Sequence, residues 1–252
     1  MRTNLQVSRI TSRASERGNA SNSRRRSKRS RAVQGELFAR TWGGARRGAG
    51  RKRRAPRELV GHRVREEFRG AFPVHVTLRL ADGLPSLREG ATYRRVLAAL
   101  GGGCERFGMR LVHWTVLGNH MHLIVEACDR HALSRGMQGL GVRLACALNR
   151  WWGRAGRVLA DRYHVHVLRS PSEVRRALAY VLQNARKHGI PIAGADPRSS
   201  APWFDGWLGR SDHADRAALE RPGWLRGART WMLAHGWRRL GLLDIDAWPG
   251  GP

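Results

Sequence analysis

From Val74 onward the spacing of apolar residues switches back and forth between two periods, and the order of those switches allows few topologies. Val74, Val76, Leu78 and Leu80 alternate with polar residues, the pattern of a half-buried strand. Residues 92–107 read as a helix that Gly101-Gly102-Gly103 interrupts. Residues 110–117 are a second strand, Gly118-Asn119 a tight turn, and residues 120–126 its antiparallel partner. A helix over 133–152 carries Leu140, Leu144, Ala147 and Leu148 on one face despite three glycines, and a strand follows over 164–168. The last helix has the best start signal in the chain. Ser170 is placed to cap it, Pro171 occupies its first position, and Glu173 closes a capping box. Val174, Ala177, Leu178, Val181, Leu182 and Ala185 form its apolar face. The order β-α-β-β-α-β, then α, predicts an α+β fold with a ferredoxin-like antiparallel sheet and one added helix. Helices on one face would leave the other sheet face free for a substrate.

Charge divides the chain further. Its 252 residues hold 47 Lys and Arg against 19 Asp and Glu, a formal net charge of +28. Residues 1–65 alone contain 20 basic and 3 acidic residues, in runs such as Arg51-Lys52-Arg53-Arg54. So little apolar content cannot offset the entropy of folding, so this segment is expected to be a disordered basic arm. A charge of this size calls for a polyanion, and nucleic-acid phosphates are the natural one for Arg51, Lys52, Arg53 and Arg54 to contact. No apolar run approaches the roughly 20 residues of a membrane span, and no apolar leader segment opens the chain. The three cysteines, Cys104, Cys128 and Cys146, lack C-x-x-C spacing, which argues against a zinc ribbon or a disulfide framework and fits a reducing cytoplasm, with nucleoid association expected of a nucleic-acid binder. Residues 191–252 hold six tryptophans, expected to fill the core of an appended helical extension or to stack on bases.

Chemistry concentrates in two places. His120 and His122 sit two apart on a strand, so their rings share one face with Cα atoms roughly 6.5–7 Å apart, and both could meet one divalent cation. Met121, Leu123 and Val125 would then enter the core beneath them. His164 and His166 have the same spacing on another strand, and His113 faces the neighbouring one, so spacing alone does not choose among them. On the final helix, Tyr180 and Asn184 are four apart and fall about 40° from each other on one flank, which brings a phenol and an amide oxygen to one place. Lys187 lies on the same flank, either against a phosphate or in solvent.

The run Asn119-His120-Met121-His122-Leu123-Ile124-Val125 after a hydrophobic strand resembles the HUH motif (His, bulky hydrophobe, His) of single-tyrosine transposases. Tyr180-Val-Leu-Gln-Asn184-Ala-Arg-Lys-His188 resembles the catalytic helix of that family, and in particular of the REP-associated tyrosine transposases, which often carry Y-x-x-x-N. The resemblance covers residues 70–190, between the arm (1–65) and the extension (191–252), and it selects His120 and His122 over His164 and His166. It departs at Ala185-Arg186-Lys187, where Pro-Val-Arg is frequent, and at Gly118, where Pro is common. It implies a transposase-type strand transferase acting on single-stranded or hairpin DNA. His120, His122 and Asn184 would hold Mn2+ or Mg2+, and Tyr180 would form a 5′-phosphotyrosine. Two cleavages would need two active sites, as in a homodimer, or sequential use of one. Two rivals remain at this level: a DNA-binding regulator that keeps the fold without the reaction, and a related relaxase or replication initiator. The same sheet also supports RNA-recognition modules, but those present stacked aromatics where these strands present His113, Trp114, His120 and His122.

Overall fold

The computed structural model describes residues 66–68, 70–208 and 221–247. The basic run Arg51 to Arg54 and the rest of the predicted arm lie outside them.

Strand β1 (Val74–Arg79) leads to helix α1 (Gly90–Gly103), which stops within the glycine run that sequence reading took for an interruption. A two-residue strand, β2 (Glu105–Arg106), turns through Phe107 and Gly108 into β3 (Met109–Val116). Residues 118 and 119 then form the predicted turn, with the Leu117 amide donating to the His120 carbonyl at 2.9 Å, and β4 (His120–Ala127) returns beside β3. Helix α2 (Arg130–Trp151) begins where the Asp129 carboxylate accepts a hydrogen bond from the Ala132 amide at 2.7 Å. Strand β5 (His164–Val167) and helix α3 (Pro171–Leu182) complete the region.

The sheet order is β2-β3-β4-β1-β5 with every pairing antiparallel. Without the short β2 this is the ferredoxin-like arrangement. One face buries Val76, Leu78, Leu111, Trp114, Met121, Leu123 and Val125 against Leu100 of α1 and Leu133, Leu140, Leu144 and Leu148 of α2. Each such fully buried aliphatic side chain contributes about 1.5–3 kcal/mol. The glycines of α2 have a packing reason at Gly136, where an added Cβ would stand 2.6 Å from Met109 on β3. The helix lies too close to the sheet there for any side chain.

The opposite face is only partly free, where sequence reading left all of it open. Helix α3 lays Val174, Ala177, Leu178 and Val181 over Val112 and Ile124, and Phe204, Trp207, Leu233, Trp237 and Leu243 extend the same apolar layer. Among the described residues the C-terminal tryptophans therefore do not build a core of their own. Trp207 and Trp237 pack with α3, while Trp203 and Trp224 stand 6.0 and 5.0 Å from Trp114 of the main core. Glu126 fastens this segment to the sheet. Its buried carboxylate accepts hydrogen bonds from the Arg229 and Thr230 amides and from the Thr230 hydroxyl, at the start of a short helix, Trp231–Ala234. Among the described residues no helix is long and apolar enough to cross a membrane.

Candidate active site

Alternation along β4 sends Met121, Leu123 and Val125 into the core and turns His120 and His122 to the other face. Register then decides their neighbours. Thr77 stands opposite His122 on β1 and Thr115 opposite it on β3, while His75 pairs across to Ile124 and His166. Residues directly opposite in a sheet share a face, so His75, His113, His120, His122, His164 and His166 all point the same way.

At the centre is His122. Its Nδ1 lies 3.1 Å from both His75 Nε2 and Thr77 Oγ1, and its Nε2 is buried without a partner. His120 stands perpendicular to it with ring centroids 5.0 Å apart, held by a 2.8 Å hydrogen bond between its Nδ1 and Asn119 Oδ1. Tyr180 meets this cluster edge-on, 5.1 Å from the His122 ring and 5.7 Å from that of His75. The Lys187 ammonium sits 4.8 Å over the Tyr180 ring, and His188 lies 5.1 Å from His120.

Helix α3 delivers Tyr180 because its start is fixed as the sequence indicates. The Glu173 amide donates to Ser170 Oγ at 3.2 Å, and the Glu173 carboxylate accepts from the Arg169 amide at 2.9 Å. Its end is not as expected. The helix stops at Leu182, Gln183 adopts φ −111°, and residues Asn184–Lys187 form a separate short helix, α4. Gln183 breaks away because its side-chain amide donates to the Asp244 and Ile245 carbonyls at 2.7 and 3.2 Å. Gln183 thus interrupts the continuous helix over which sequence reading placed Asn184 and Tyr180 on one flank. Asn184 is fully buried while Tyr180 is half-buried, and neither Asn184 Nδ2 nor Oδ1 has a hydrogen-bond partner.

The electrostatics favour neutral imidazoles. Burial pushes His122 down to about 3, reinforced by His75, His120, His188 and Lys187. His120 is lowered to about 4 by burial, then by His188 and Arg79, and His75 to about 4 by burial, then by His166 and His164. Each therefore keeps a lone pair at neutral pH for a cation or a hydrogen. The buried, unpartnered His122 Nε2 and Asn184 amide are the observation that fits a divalent cation, since orphaned buried polar atoms are costly. Among the described residues no cluster of three or more His, Cys, Asp or Glu is arranged to hold a metal, so a cation here would need the amide oxygen as a ligand.

The rival histidines share this face but stand outside the cluster around His122. His164 and His166 are exposed on the edge strand, with His166 Nε2 3.6 Å from the Glu173 carboxylate. His113 is half-buried, its Nδ1 3.2 Å from Ser200 Oγ and its ring against that of Phe204, and desolvation lowers its pKa to about 4. Sequence reading missed His75, Thr77 and His188. Alternation on β1 puts His75 and Thr77 on its polar side, but only register brings them to His122.

No family model matches the chain, and no curated protein does. Among solved structures, a REP-associated tyrosine transposase bound to a REP hairpin is 19% identical over 56% of this chain and 82% of that one, with a TM-score of 0.47. A presumed transposase from Deinococcus radiodurans R1 is 13% identical over 54% of this chain and 100% of its own, with a TM-score of 0.35. At these values neither lends a residue's role to this chain.

Proposed function

We propose that this protein is a transposase-type strand transferase that cleaves and rejoins single-stranded or hairpin DNA with Tyr180 as nucleophile. One observation carries the reading: the Tyr180 ring stands 5.1 Å from His122, whose Nε2 is buried and unpartnered, as is the Asn184 amide. A phenol can serve as the nucleophile of a phosphoryl transfer, and two neutral imidazoles with an amide oxygen can hold a cation that offsets the phosphate charge. The resemblance of Asn119 to Val125 and of Tyr180 to His188 to the HUH pattern points the same way.

Tyr180 Oη attacks the scissile phosphorus, forming the Tyr–O–P bond as the bond from phosphorus to the 3′-oxygen breaks. The phenolic proton passes to water, and the departing oxygen takes one up to become a free 3′-hydroxyl. The 5′-phosphotyrosine keeps the phosphodiester energy, so a second 3′-hydroxyl reverses the step without ATP. Lys187, with its ammonium over the Tyr180 ring, favours the phenolate and the anionic phosphate. His120, His122 and Asn184 Oδ1 would hold a divalent cation, Mn2+ or Mg2+, which when bound supplies Lewis-acid polarisation of the phosphate. Arg51, Lys52, Arg53 and Arg54 add phosphate contacts. One nucleophile per site means that two cleavages take two sites, in a homodimer, or one site used twice.

The test is incubation with a single-stranded hairpin oligonucleotide and Mn2+, followed by denaturing electrophoresis. A DNA-linked protein band that disappears in Tyr180→Phe is expected. Tight binding with no adduct under either metal would instead make the protein a DNA-binding regulator.

A further inference from the structure

We infer that His75 and Thr77 are positioning residues that hold the ring proton of His122 on Nδ1, so that Nε2 keeps its lone pair turned into the site. The inference rests on the strand-transfer reading for its purpose but not for its geometry. Three polar atoms meet on β1 and β4: His122 Nδ1 is 3.1 Å from His75 Nε2 and 3.1 Å from Thr77 Oγ1. The pairing register fixes this meeting, because Thr77 stands directly opposite His122 and His75 two residues along the same strand face.

Two proton arrangements satisfy those contacts. In the first, His122 Nδ1–H donates to Thr77 Oγ1 and His75 Nε2, and its own Nε2 is a bare acceptor. In the second, Nδ1 accepts and Nε2 carries hydrogen. The second buries an N–H donor that has no acceptor and sets its positive end near the Lys187 ammonium. A lone pair beside that cation is favourable where an N–H is not, so the first arrangement is preferred. It also defines what His75 does: its Nε2 accepts, so its own hydrogen sits on Nδ1. Ring orientation is fixed at the same time, since the His75 and His122 rings lie 5.2 Å apart and both abut Tyr180. A ligating imidazole needs its second nitrogen held in this way, and loss of such a partner typically weakens metal binding about 10–100-fold.

The experiment uses the full chain and begins without metal. Long-range nitrogen–proton NMR of histidine-labelled protein at neutral pH reports which nitrogen of His122 bears hydrogen. The unsubstituted protein is expected to show Nδ1–H. A Thr77→Val, His75→Phe double variant, which keeps shape and ring contacts, is expected to move towards Nε2–H, the form free imidazole side chains favour. Mn2+ affinity measured calorimetrically should fall about 10–100-fold in the double variant, with Thr77→Ser retaining the parent value. An unchanged thermal midpoint would confirm that the variants fold. Nε2–H in the unsubstituted protein, or unaltered tautomer and Mn2+ affinity in the double variant, would overturn the inference. If the parent protein neither binds Mn2+ nor forms a DNA adduct, the strand-transfer reading fails, while a tautomer reversal in the variant still supports the positioning role.

Discussion

Asn184 carries an unusual burden for one side chain. It is fully buried, and neither its carbonyl oxygen nor its amide nitrogen meets a partner within the protein. Such a group costs about 1–3 kcal/mol of desolvation that folding alone does not recover. A purely structural residue here would be apolar. Asn184→Leu, the apolar side chain of closest shape, should therefore leave stability within about 1 kcal/mol of the parent while abolishing Mn2+ binding and adduct formation. Chemical denaturation and calorimetry decide it. A loss of several kcal/mol would mean that the amide is bonded within the fold and is no ligand. The departure at Ala185-Arg186-Lys187 has a local account too: Arg186 reaches the Ile245 and Gly194 carbonyls, the latter at 3.0 Å, so it serves the C-terminal segment.

At the scale of elements, the candidate site depends on a helix that ends two residues before Asn184. Helix α3 presents Tyr180, then Gln183 leaves the helix to bond the Asp244 and Ile245 carbonyls, and α4 turns Asn184 inward. The C-terminal segment thus shapes the turn between Tyr180 and Asn184 from outside it. Glu126 holds that segment by one buried carboxylate accepting from two amides and a hydroxyl. Glu126→Gln puts an NH2 group among N–H donors and should cost about 2 kcal/mol. Trypsin should then cut sooner at Arg226 or Arg229, with cleavage followed by mass spectrometry. Equal protection of variant and parent would show that the apolar packing of Trp237 and Leu243 suffices to hold the segment.

Across the whole molecule, the excess charge of +28 opposes compaction and favours a polyanionic partner. Residues 1–65 contribute 20 of the basic side chains. Each phosphate they neutralise adds about 0.9 to the slope of log affinity against log salt. Deleting residues 1–57 should flatten that slope for hairpin DNA, measured by fluorescence anisotropy at several salt concentrations, and leave adduct formation at low salt intact. An unchanged slope would take the arm out of the interface.

The sequence by itself determined the elements and the chemistry available to them. Period-2 and period-3.6 spacing marks the strands and helices, Ser170-Pro171 marks the start of α3, and alternation puts His120 and His122 on one face, because these signals act between residues close along the chain. Only the tertiary structure decided which groups meet. Strand register brought His75 and Thr77 to His122, bonds to residues 244 and 245 broke the last helix at Gln183, and the tryptophan-rich segment covered part of a sheet face expected to be open. Those outcomes depend on contacts between residues about 45 to over 60 positions apart, and local spacing holds no information about them.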